Sequence, residues 1–285
     1  MCAATTDSLL AEFHQGSSPL LISVPHAGTG LPAGFSERLS HAASLLPDTD
    51  WYVDRLYHFA RAQGASMLIA KAARLVIDQN RPSDDQPLYD VGQTKLMTGV
   101  LPMQCFSGAA VYLPGQEPTA QEAAARLNRY WQPYHQQLRD CLQNLRQQHG
   151  HAVLLDAHSI RAEVPLLFEG VLPDLNLGCN GGLSATPDLL SQAAECLRSG
   201  KYSVAVNGRF KGGYITRHYG QPDQNIQALQ LEIAQRIYMN EQSPSWDATK
   251  GAALQRHLQQ LVQLLSNWKP GHGQDHLIGH EIGHD

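Results

Sequence analysis

Four short runs, 20–24 (LLISV), 74–78 (RLVID), 152–156 (AVLLD) and 202–207 (YSVAVN), each contain at least three consecutive apolar residues and alternate with longer segments of helical period. A strand with one wet face alternates apolar and polar residues, so a continuous apolar run is buried on both faces, and that requires helices on both sides of its sheet. Helical patterns fill the intervals at 51–63, 120–148, 187–199, 225–239 and 252–267. Strand and helix in alternation give a layered α/β fold. No Pro/Ser/Gly linker, charge block or internal repeat divides the chain, which predicts one α/β domain over residues 1–270 and a His/Gly-rich tail over 271–285.

In open α/β sheets ligands collect beyond the carboxyl ends of the strands, so the residues just after each run carry the functional expectation. His26 follows LLISV, Asn80 and Arg81 follow RLVID, His158 follows AVLLD, and Arg209 follows YSVAVN. A lone buried imidazole is more often a satisfied core group than a ligand. Two of them, each just past a buried strand, point to a metal, and Asp156 places a carboxylate beside one of them. A hydrolytic zinc takes three protein ligands, typically two histidines and a carboxylate, and keeps a position for water. The carboxylate comes from Asp48-Thr49-Asp50-Trp51-Tyr52-Val53-Asp54. Asp48 also reads as the N-cap of the helix beginning near Trp51, and Asp54 as a solvated first-turn acid. Co, Mn or Fe can occupy the same donor set.

Composition narrows the partners. Lys and Arg total 21 against 26 Asp and Glu in 285 residues, a net charge of -5 without a basic stripe, so no nucleic-acid partner is expected. No apolar run reaches the roughly 18 residues that span a bilayer, and the N-terminal MCAATTDSLLAEFHQG lacks the basic-then-apolar order of a signal peptide. A cytoplasmic protein without a membrane partner is the expectation. The five cysteines are scattered and contain no CxxC pair, which argues against a disulfide framework or a thiolate zinc site.

Two motif matches are decoys. Gly28 to Gly34 reads GxGxxxG, with Pro32 where a dinucleotide-binding helix would begin. His280-Glu281-Ile282-Gly283-His284 fits HExxH, but Gly283 weakens the required helix and no third ligand follows.

Six segments, SVPHAG (23–28), DTDWYVDRLY (48–57), VIDQNRP (76–82), LLDAHSIR (154–161), NGRFKGGYITRHYG (207–220) and ALQLEI (228–233), together resemble the N-formylglutamate amidohydrolases (N-formylglutamate deformylases) of histidine degradation. The resemblance implies a zinc-exopeptidase-like, three-layer α/β fold with a mostly parallel mixed sheet and helices on both faces. It implies hydrolysis of N-formyl-L-glutamate to formate and L-glutamate, the last step of a histidine degradation route. It also implies Zn2+ on His26, Asp50 and His158, with Asp54 as the alternative acid, and Glu232 as the carboxylate that activates water. Without the resemblance, Glu232 reads as a helix-surface acid. Two substrate carboxylates call for planar guanidinium forks, and Arg81, Arg209 and Arg217, with Asn80 beside the first, are the candidates. Lys211 and His218 are possible assistants in the glycine-rich segment 208–220. The rival readings are a zinc amidohydrolase for another N-acyl acidic amino acid and a non-catalytic binder of acidic amino acids.

Overall fold

The computed structural model describes residues 9–88 and 98–271. Most of the tail expected at 271–285, with the His280–His284 motif, lies outside the described residues. Seven strands form one sheet: β1 (Glu12–His14), β2 (Leu20–Val24), β3 (Ser66–Ile69), β4 (Ala152–Ile160), β5 (Leu175–Gly178), β6 (Val204–Val206) and β7 (Ile226–Ala234). Their order is β1-β3-β2-β4-β7-β5-β6. The pairings are parallel except β1 with β3 and β5 with β7. The helices are α1 (His41–Ser44), α2 (Val53–Tyr57), α3 (Ala120–Arg126), α4 (Gln132–His149), α5 (Pro187–Arg198), α6 (Tyr214–Tyr219) and α7 (Ala248–Asn267).

The side-chain alternation of each central strand feeds two cores. Leu20, Ile22, Val153, Leu155, Leu229 and Leu231 pack with α2, α5 and α7, while Leu21, Leu154 and Ala228 pack with α4 and α6 on the other face. Helices therefore cover both faces, giving the three layers expected. Among the described residues no helix is long and apolar enough to cross a membrane.

Three expected elements differ. Residues 74–78 form no strand: Val76 N donates to Ala73 O in a buried turn, and the strands flanking β2 are β3 (Ser66–Ile69) and β4. Leu75, Val76 and Ile77 are buried in a separate apolar cluster with Tyr112 and Trp131. An apolar run reports burial, and here burial comes without pairing. Residues 225–239 are mainly strand β7 rather than helix. Gln227, Gln230 and Glu232 gave that segment its helical look, yet all three are buried. Gln227 Oε1 accepts from Thr186 N at 2.7 Å and Gln230 Oε1 from Gly213 N at 2.7 Å, so these polar groups face inward partners and not solvent. The long helix expected at 120–148 is interrupted by a π turn at Leu127–Trp131.

Candidate metal centre

The face of the sheet that packs on α4 and α6 is apolar at the start of each central strand and polar at the end. Ala152 and Leu154 give way to Asp156 and His158, Ile226 and Ala228 to Gln230 and Glu232, and Leu21 to Ser23. The register places Glu232 beside His158 and Gln230 beside Asp156. His26 enters from the loop after β2. Asp50 enters from the turn before α2, where its N–H donates to His26 O at 3.1 Å and Gln235 and Tyr238 hold the neighbouring carbonyls of Thr49 and Trp51. Asp48 is no helix cap: its Oδ2 accepts from Phe106 N at 2.8 Å, and burial pushes its carboxyl up to about 6.

Three ligand atoms converge. Asp50 Oδ2 lies 2.8 Å from His158 Nδ1 and 3.8 Å from His26 Nδ1. Among the described residues His26, Asp50 and His158 form a fully buried group whose ligand atoms all fall within 4.8 Å of one another. Asp54, the other acid considered, is outside this group. Each imidazole has its remote nitrogen held by a buried carboxylate: His26 Nε2 by Asp78 Oδ1 at 2.7 Å and His158 Nε2 by Asp156 Oδ2 at 3.1 Å. A carboxylate there favours the tautomer with its hydrogen on Nε2, which leaves the Nδ1 lone pair for a cation and raises the donor strength of the ring. His26 Nδ1 is buried and has no hydrogen-bond partner. A buried ring nitrogen without a partner, aimed at a carboxylate and a second ring nitrogen, is the arrangement a divalent cation satisfies.

The surroundings are strongly polarised. Burial alone would raise Asp78, but Arg74, with His26 adding, outweighs it and holds the carboxyl well below the usual range. Arg74 donates Nε and Nη2 to Asp78 Oδ2 at 3.0 and 2.8 Å. Burial opposes charge on His158, yet Asp156 and Asp50 raise it well above an ordinary imidazole; for His26 burial wins, with Arg74 adding, and the imidazole is lowered. Glu232 is pushed up to about 8 by burial and by Asp50 and Asp156, against the pull of His158 and Arg74. Asp78 and Arg74 were not among the residues singled out from sequence. The available signal was the acid closing RLVID, the same ending as AVLLD.

These groups open into a cavity of about 310 Å³ whose walls include His26, Asp50, His158, Glu232, Asn80, Arg81, Arg209 and Arg74. Asn80 is committed internally: Nδ2 donates to Asp156 Oδ2 at 3.0 Å and Oδ1 accepts from Ile215 N at 2.7 Å. Arg217, Lys211 and His218 are not part of the wall. Arg217 Nε donates to Gly212 O at 2.8 Å, and the exposed His218 stacks on Tyr214.

Residues 18–239 match the N-formylglutamate amidohydrolase family. The sequence is similar to an N-formylglutamate deformylase of Pseudomonas aeruginosa, 46% identical over 258 residues that cover 90% of this chain and 96% of that protein. An N-formylglutamate deformylase of Pseudomonas putida is 47% identical over 258 residues, covering 90% and 95%. The fold is similar to the crystal structure of an N-formylglutamate amidohydrolase from Ralstonia eutropha, with a TM-score of 0.81 and 27% identity across 90% of this chain and 97% of that one.

Proposed function

The chain belongs to the N-formylglutamate amidohydrolase family, and from that premise we propose how it hydrolyses N-formyl-L-glutamate to formate and L-glutamate: with a divalent metal, zinc first among the choices, held by His26, Asp50 and His158, and with Glu232 as the base. The observation that carries this reading is the convergence of two carboxylate-backed Nδ1 atoms and Asp50 Oδ2 at one end of the cavity. A divalent ion, when bound there, would lower the pKa of water and polarise a carbonyl oxygen.

The chain's own groups do the rest. Glu232 takes the proton of the attacking water as its oxygen reaches the formyl carbon, then returns that proton to the amine nitrogen as the C–N bond breaks. The raised carboxyl belongs to the chain alone; a 2+ charge beside Asp50 would draw Glu232 back toward the carboxylate that a base requires. Arg81 and Arg209 take the substrate carboxylates as planar forks. Asn80 keeps Asp156 and the turn into α6 in place, and Arg217 steadies the loop of Arg209 through Gly212. A place at the end of histidine degradation, in the cytoplasm, belongs to the same proposal and rests on the family resemblance.

The test is Glu232→Gln, followed by formate release from N-formyl-L-glutamate and by metal analysis. General-base catalysis is worth about 10² to 10⁴-fold, so kcat should fall by that factor while the metal stays. A loss of only a few-fold would remove Glu232 from the reaction.

A further inference from the structure

Three guanidinium groups line the cavity, those of Arg74, Arg81 and Arg209, and they differ in what they have left to give. Arg74 is spent on Asp78. Arg81 directs Nε and Nη2 at Thr98 Oγ1, at 3.0 and 2.6 Å, and Nη1 at Asn80 O at 2.9 Å. Arg209 is the exception. Among the described residues no carboxylate lies within ion-pair distance of it and no acceptor takes its N–H groups, although its Nε is buried. Buried donors are paired as a rule, and an exception inside a cavity implies a missing acceptor.

The backbone that carries Arg209 is fixed in advance. Asn207 N donates to Leu177 O at 2.8 Å, and Asn207 Oδ1 accepts from Cys179 N at 2.9 Å, tying the loop to the end of β5. Gly178 makes this seat possible, because a Cβ there would lie 2.6 Å from Lys211 C and 2.8 Å from Phe210 O. Gly213 N closes the loop on Gln230 of β7. A charged fork on a fixed backbone needs little reordering when an anion arrives.

We propose that Arg209 is the specificity-determining residue, the group that takes the side-chain carboxylate of the substrate, leaving Arg81 for the α-carboxylate. This rests on the deformylase reading above. The α-carboxylate is attached next to the scissile nitrogen, and Arg81 follows Asn80, whose amide touches His158 Nε2 at 2.9 Å. The side-chain carboxylate lies two methylenes further out. Arg209 arrives from the far edge of the sheet, after β6, with Ile160, Leu167 and Phe210 in the same wall to cover those methylenes. The chemistry selected is an N-formyl amino acid with an anionic side chain.

The experiment compares kcat/KM for N-formyl-L-glutamate and N-formyl-L-glutamine in the wild type and in Arg209→Ala. Leaving this half-buried guanidinium, with its Nε buried, without an anion makes the expected wild-type preference for glutamate about 30-fold to several thousand-fold. In Arg209→Ala the ratio should collapse toward parity, through loss on the glutamate substrate. Arg209→Gln, which keeps hydrogen-bonding capacity without charge, carries the same expectation if the alanine variant does not fold. A ratio equal to wild type overturns the assignment, and so does an equal fall on both substrates, which would place Arg209 on the shared α-carboxylate. A wild type that releases no formate from either substrate brings down the deformylase reading itself, before any variant is compared.

Discussion

Replacing Asp78 with Asn keeps the shape of the side chain and removes one charge from beneath the centre. Asp78 is fully buried, with Oδ1 accepting from His26 Nε2 at 2.7 Å and from Asn80 N at 2.8 Å, and Oδ2 accepting twice from Arg74. Two losses follow. The carboxylate behind a metal-bearing histidine is worth about 10- to 100-fold in metal affinity, or roughly 1.4 to 2.7 kcal/mol. Arg74, whose side chain is 11% exposed, also loses its ion pair. Removing one partner of a buried pair costs about 3 to 5 kcal/mol, less whatever Asp48 and Asp50 recover by their own attraction to Arg74. Against the roughly 5 to 15 kcal/mol that holds a domain folded, the variant should fold and melt lower, by about 2 to 4 °C for each kcal/mol lost. Chelator competition reads the affinity, and thermal melting with and without added metal reads the stability. Wild-type affinity in Asp78→Asn would refute the claim that His26 is tuned through this carboxylate.

Two further outcomes are expected. His135 is buried on α4, its Nε2 2.9 Å from Gln79 O, and burial lowers it from 6.5 to about 3 despite that carbonyl, with His218 and Arg139 adding. The unfolded chain therefore binds more protons between those values, so this contribution is complete above about pH 6.5 and is lost as pH falls toward about 3, at up to about 1.4 kcal/mol per pH unit; denaturant midpoints should show this slope in wild type and less of it in His135→Gln, and identical profiles would refute it. In Gly213→Ala the new Cβ would meet Asn80 Nδ2 at 2.5 Å and its Cγ at 2.7 Å, displacing the amide that bonds Asp156. Because small misplacements of a site cost on the order of 10²-fold, kcat/KM should drop by about that factor, and a wild-type value would show that Asn80 can move freely.

An apolar run in this sequence marks burial, and only some of the runs are also strands. LLISV and AVLLD are buried on both faces because they are central strands, and the histidines after them meet at one sheet end for the same reason. RLVID is equally apolar yet packs in a second cluster as a turn, so the residues after it reach the cavity without a strand beneath them. β7 misled in the opposite direction. Its Gln227, Gln230 and Glu232 mimic the wet face of a helix, and only their partners across the sheet and loops show that they point inward. In the sequence only the family resemblance prefers Asp50 to Asp54; in the fold the turn at Tyr52, with a φ of 62°, separates Asp50, bonded to the strand-end loop, from the helix that carries Asp54. Arg209 was legible as a strand-end cation, but its lack of a partner is a property of the folded cavity alone.

Whether His26, Asp50 and His158 hold a catalytic metal is read by measuring bound metal and formate release on the same preparations of wild type and His158→Ala, full chains in both cases so that the histidines at 272–285 contribute equally. Wild type should hold one more equivalent of divalent metal than the variant. It should also release formate and L-glutamate from N-formyl-L-glutamate, abolished by a chelator and restored by added metal, with no turnover in the variant. Wild-type turnover in a metal-free sample, or undiminished metal and turnover in His158→Ala, would contradict it.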